Sequence, residues 1–158
     1  MFAVPPNTVA ATASHTVAHP ALVAMAHAAD NGWRRLLRYD PDRRWTALLD
    51  STEDHEVWLM SWLPGQHTDL HDHAGSTGAF TVVSGVLSER VARAAADGGP
   101  PEATHLVRAG QTRVFGPGHV HRVANEGVDP AVSVHVFRPG RRGMNRYRTS
   151  PAGPIRLP

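Results

Sequence analysis

The chain has 158 residues, a formal net charge of +2, 11 histidines and no cysteine, and all 16 of its basic residues are arginine. That length suffices for one domain with its own core. The lack of cysteine excludes disulfides, thiolate ligands and a protein thiol nucleophile, and fits a reducing cytoplasm.

The arginines are scattered and no nucleic-acid-binding motif accompanies them, so nucleic acid is not an expected partner. No apolar run approaches a membrane span, and the first residues lack the charged-then-apolar order of a signal peptide. A cytoplasmic protein without a membrane partner is expected, with its oligomeric state left open.

Residues 1–18 are rich in Ala, Thr and Pro without hydrophobic period, and read as a flexible arm ahead of a single domain over 19–158. From Pro20 the chain turns helical. Ala21 to Ala29 are good helix formers, Pro20 suits a first turn and Asn31-Gly32 a stop. Trp33, Leu36 and Leu37, at i, i+3 and i+4, should pack one face inward.

From Trp45 the period becomes that of strands. WTALLD, EVWLMSWL, AFTVVSGVLSERVAR, THLVR, TRVF, HRVAN and AVSVHVFRP are short, rich in β-branched and aromatic residues, and separated by Gly, Pro, Asp and Asn. Seven such runs after one or two short helices predict an all-β jelly-roll barrel. DGGPPEA, from Asp97 to Ala103, reads as a surface turn. The tail, with Arg141, Arg142, Arg146 and Arg148, reads as a solvated basic segment.

The chemistry concentrates in GQHTDLHDHAGSTGAFTVVSG, Gly65 to Gly85. His71 and His73 lie two apart, the spacing that puts strand side chains on one face. A chain with 11 histidines can produce such a pair by chance. Here glycines flank it, and Gly118, His121 and Asn125 follow as G-x2-H-x3-N. The two half-motifs resemble those of the cupins, with Gly78 where the usual glutamate would stand. His119 makes a second H-x-H with His121, but the spacing to Asn125 favours His121 as ligand, which leaves His119 at the pocket mouth or in solvent. Asn125 should fix a turn.

Three features together, the H-D-H triplet with Trp62 nine residues ahead, H-R-V-x-N and A-V-S-x-H, resemble the cysteine dioxygenase family of thiol dioxygenases, especially bacterial members. The resemblance spans roughly residues 45–139. It implies a cupin double-stranded β-helix and Fe(II) held by His71, His73 and His121, with O2 and a small thiol as partners. It further implies oxidation of the thiol to a sulfinic acid. Imidazole suits iron, and a site without a carboxylate keeps the +2 charge that attracts a thiolate. The family's Ser-x-His-x-Tyr run becomes Ser133, His135 and Phe137, of which Ser133 and His135 would steady the site and place the substrate. With Gly78 and Phe137 at the two positions, the cysteine–tyrosine crosslink of animal members is impossible.

Met60, Trp62, Thr46, Leu48, Gly78, Val123 and Phe137 are expected around the substrate. Cysteine-using members carry a Tyr-x-Arg on an early strand, and placing RWTALLD there puts Thr46 and Leu48 at those positions. Arg43 or Arg44 would compensate in a shifted register. Leu48 and Phe137 would replace two polar contacts, which argues for a thiol other than free L-cysteine or an altered outcome of the same chemistry. Other cupin enzymes, or a cupin that binds a metal or ligand without catalysis, are the alternatives.

Overall fold

The computed structural model describes residues 17–94, 102–140 and 143–158. Residues 1–16 of the expected arm, most of the Asp97–Ala103 turn, and Arg141 and Arg142 lie outside the described residues.

Helix α1 runs from Pro20 to Ala29, with Pro20 in its first turn and His19 Nδ1 accepting from the Ala21 N–H. It stops at Asp30, one residue before the expected Asn31-Gly32, because the Asp30 carboxylate accepts from the Gly32 N–H and starts a 3-10 turn over Asn31–Arg35. Trp33 is buried and Leu37 packs beside it. Leu36, expected to pack with them, is exposed, because the helical turn ends at Arg35.

The strands are β1 (Trp45–Ser51), β2 (Glu56–Trp62), β3 (His71–Asp72), β4 (Thr77–Ser84), β5 (Val86–Ala92), β6 (Glu102–Arg108), β7 (Thr112–Phe115), β8 (His121–Ala124), β9 (Ala131–Arg138), β10 (Asn145–Arg148) and β11 (Ile155–Arg156). They form two antiparallel sheets, ordered β1-β2-β9-β4-β7 and β11-β10-β3-β8-β5-β6. These two sheets make the cupin jelly roll with its N-terminal helix.

Gly85 divides the run 79–93 into β4 and β5. Its φ is +75°, and a Cβ there would lie 2.6 Å from the Pro130 carbonyl oxygen. Only glycine meets both demands.

Strand β9 is buried along nearly its whole length because both of its faces are covered. Val132, Val134 and Val136 pack with Val57, Leu59, Ala24 and Trp33 under α1. Phe137, on the other parity, joins Met60, Trp62, Phe80, Val82, Leu87 and Phe115 in the barrel core. The tail is structured rather than merely solvated. Its β10 pairs with β3, setting Asn145 opposite Asp72 and Arg146 opposite His71, although Arg146 and Arg148 themselves remain exposed.

Trp33 is the largest buried side chain in the layer between helix and sheet, and its indole N–H donates to the Ala28 carbonyl. Trp33→Ala should cost about 3–5 kcal/mol in urea unfolding. A loss below about 1 kcal/mol would mean that the helical segment does not close this face.

Candidate metal centre

The centre begins with one cross-strand pair. His71 on β3 stands opposite His121 on β8. Past the end of β3, Ala74 and Gly75 both take positive φ, 49° and 90°, and this tight turn returns the chain to β4 just after His73. Between the histidines, Asp72 accepts from the Ala74 N–H, Asn145 Nδ2 and the Tyr147 hydroxyl, at 2.9, 2.8 and 2.7 Å. Burial alone would raise its carboxyl pKa, but these donors hold it below the usual range.

His71, His73 and His121 are buried, and one ligand atom of each lies within 4.8 Å of the others. His71 Nδ1 faces the Asp69 carbonyl at 2.8 Å and His121 Nδ1 faces a Glu89 oxygen at 2.8 Å. Both acceptors lack hydrogens, so each Nδ1 carries the proton and each Nε2 presents a lone pair. His73 Nε2 lies 3.0 Å from His121 Nε2. Burial, followed by the neighbouring imidazoles, lowers the pKa of His71 to about 4 and of His73 to about 2; burial also lowers that of His121. Three neutral imidazoles converging on one point fit a divalent cation, which binds deprotonated ligands.

No carboxylate enters this set from β4. A Cβ on Gly78 would lie 2.1 Å from the Val136 carbonyl oxygen and 2.5 Å from Phe115 Cζ. The Phe115 ring, 4.7 Å from His73, occupies the space. Gly78 was expected to line the pocket; instead it sits beneath Phe115 and does not line the cavity.

Ser133 and His135 share the inner face of β9. The Trp62 indole N–H donates to Ser133 Oγ at 2.9 Å, and Ser133 Oγ lies 2.8 Å from His135 Nε2. The His135 ring stacks on Phe80, and burial, with Arg44 next, pushes its pKa well down. Asn125 lies behind the site, donating to the carbonyls of Trp62 and Asp129 and accepting from Gly127 N–H.

A small cavity joins the two groups. Met60, Trp62, Val123 and Phe137 line it with His71, His73, His121 and His135. The cavity holds about 30 Å³, so a ligand here is small. Thr46 and Leu48, expected around the substrate, do not line the cavity. They pair with Met60 and Trp58, but β1 is an edge strand and Leu48 is 46% exposed. Arg44 lines the cavity in their place, its guanidinium 4.6 Å from the centroid of a Trp62 ring. No change of register is needed, since Arg44 has the parity of Thr46.

Sequence reasoning missed residues here. Thr68 and Met144 line the cavity from loops without strand period. Glu89, fully buried, accepts from His121, from His119 Nε2 at 3.0 Å and from Arg113 Nε at 2.6 Å. Its signal was present, since Leu87, Glu89 and Val91 alternate along β5 and set an acid in an apolar row. His119 is therefore tied to this carboxylate rather than free in solvent.

The cysteine dioxygenase type I family model matches residues 8–150. Among solved structures, a protein from Thermus thermophilus shares 27% identity with a TM-score of 0.59, covering 68% of this chain and 93% of its own. An uncharacterised double-stranded β-helix protein from Klebsiella pneumoniae shares 24%, with a TM-score of 0.60 and coverage of 72% and 91%. An oxalate oxidase in complex with glycolate shares 25%, with a TM-score of 0.53 and coverage of 62% and 52%.

Gly78→Ala should destabilise the fold by about 1–3 kcal/mol in urea unfolding, through overpacking against β9 and Phe115; an unchanged midpoint would contradict that packing. The depressed histidines also fix a pH dependence for the metal-free protein. Below pH 6.5 the unfolded chain takes up protons that the folded chain refuses, so stability falls as pH drops from 6.5 towards 4. Each histidine kept neutral contributes up to about 1.4 kcal/mol per pH unit. Urea midpoints at pH 7 and pH 5 measure the loss, and equal midpoints would mean the histidines are not desolvated.

Proposed function

The chain belongs to the cysteine dioxygenase type I family, and on that footing we propose that this cupin-type metalloenzyme is an iron(II)-dependent thiol dioxygenase. Its substrate is a small thiol bearing a carboxylate, and the reaction is RSH + O2 → RSO2H, both oxygen atoms ending on sulfur. The observation that carries this reading is the small cavity lined by three imidazoles, by His135 and by the Arg44 guanidinium. An all-nitrogen ligand set with open positions suits iron(II), and iron(II) bound there supplies a place where thiolate sulfur and O2 meet and exchange electron density.

The chain's own residues do the rest. Arg44, held against Trp62, pairs with the substrate carboxylate and fixes which way the thiol points. Ser133 ties the His135 ring to the Trp62 indole, so His135 presents a fixed neutral imidazole beside the reacting sulfur. Met60, Val123 and Phe137 exclude water and limit the substrate to a few carbons.

Arg44 revises the substrate inferred from Leu48: a partner for a carboxylate is present after all. Phe137 still lacks the hydroxyl of the family tyrosine, and among the described residues no carboxylate lines the cavity to pair with a substrate ammonium. A thiol carboxylate without an amino group, of the 3-mercaptopropionate type, therefore fits better than L-cysteine.

The test is oxygen consumption by the iron(II)-loaded protein with 3-mercaptopropionate, L-cysteine, mercaptosuccinate and cysteamine, with products weighed by mass spectrometry. The highest kcat/KM should belong to 3-mercaptopropionate, with a gain of two oxygen atoms, and the lowest to cysteamine, which has no carboxylate. Arg44→Met should lower kcat/KM for the carboxylate thiols by about 10- to 150-fold, the range for a hydrogen-bonded charge, and leave cysteamine unchanged. Equal loss with cysteamine would remove Arg44 as the anchor. Absence of oxygen uptake with every thiol would remove the dioxygenase reading.

A further inference from the structure

Among the described residues Glu89 is the carboxylate that reaches the three histidines, and it does so through one of them. It is fully buried on β5, the only acid in the row Leu87, Glu89, Val91. Every donor aimed at it is cationic or an imidazole. His121 Nδ1–H lies at 2.8 Å and His119 Nε2–H at 3.0 Å from one oxygen, and Arg113 Nε–H at 2.6 Å from the other. His105 on β6 stands opposite it in register. His121 alone of these belongs to the converging set; His119 and Arg113 reach the surface, with side chains 18% and 33% exposed.

From this geometry we infer that Glu89 is a positioning residue that sets the electron-donating strength of the metal site, with Arg113 as its counterweight. The negative charge absent beside the metal is moved one hydrogen bond outward. A carboxylate accepting from Nδ1–H fixes the tautomer of His121, aims Nε2 inward and makes that nitrogen a stronger base. Arg113 opposes this by neutralising the same carboxylate from its other oxygen, so the two side chains push the site in opposite directions. A purely structural ion pair would not behave so: removing either partner would loosen the fold and the site alike. The arrangement also separates two tasks, since Phe115 keeps the ligand sphere free of carboxylate while Glu89 returns part of its influence from behind. The inference rests on His71, His73 and His121 being the ligands.

The experiment is competitive titration of the metal-free protein with Zn(II) and Co(II), read alongside the Co(II) absorption spectrum and the Fe(III)/Fe(II) potential, for wild type, Glu89→Gln, Arg113→Met and His71→Ala. Glutamine keeps the shape and an acceptor oxygen but not the charge. Glu89→Gln should weaken Zn(II) and Co(II) binding about 10- to 100-fold and raise the potential. Arg113→Met should tighten binding by roughly 3- to 10-fold and lower the potential, because an unopposed Glu89 pulls harder on His121. Two variants that both weaken binding would overturn the inference in favour of a structural ion pair, and no change in either would overturn it outright. If Glu89→Gln does not fold, the direction of change in Arg113→Met decides alone. Wild-type binding of one metal ion, lost in His71→Ala, separates failure of this inference from failure of the ligand assignment, which would sink both. None of these readouts depends on which thiol is oxidised.

Discussion

The register of two very short strands governs the rest of the molecule around the cavity. Strands β3 and β8 share one cross-strand pair, His71 with His121, and a slip of one residue would turn both rings to the other side of the sheet. Two residues of β3 cannot fix such a register alone. The fixing comes from outside it, where Asp72, pointing away from the histidines, is clamped by Asn145 and Tyr147 of β10. Side-chain alternation in H-D-H thus gives the inner face to the two histidines and the outer face to the clamp.

Desolvation is the second constraint, and it gives the site its character. Imidazoles that would be partly protonated near neutral pH in water are held neutral by burial, leaving lone pairs where a cation can use them. The same low dielectric would make an unpaired carboxylate costly, and Glu89 is tolerated because three donors surround it. Its carboxyl is held well below the usual range: burial pushes it up, and the bonds from His119, His121 and Arg113 outweigh that push. The apolar rings of Phe115, Phe137 and Phe80 are part of this electrostatics, since they exclude the water that would otherwise screen it.

The all-β barrel was legible because strand period and turn residues are local signals. So was the set His71, His73 and His121, through strand alternation for the first two and a resemblance to two cupin half-motifs for all three. The β1 contacts were not, because parity says which face a side chain takes but not how far along an edge strand the cavity extends; Thr46 and Leu48 have the right parity and Arg44 has the position. Glu89 was overlooked for a related reason. An acid on an inner face becomes informative only when its donors, 24 to 32 residues away in sequence, are known to converge on it. The tail misled because arginine-rich composition describes its exposed residues, while Asn145 and Tyr147 supply the side-chain bonds to Asp72.

The pairing of β10 with β3 has a consequence for biosynthesis. His71 is opposed on one side by His121 and on the other by Arg146, so the strand bearing it stays open along one edge until the residues of β10 have emerged from the ribosome. A nascent chain can assemble the β2-β9-β4 sheet earlier, since those strands need nothing beyond Arg138. The histidine-bearing sheet therefore gains its β10 edge only after every strand of the β2-β9-β4 sheet is available to pair.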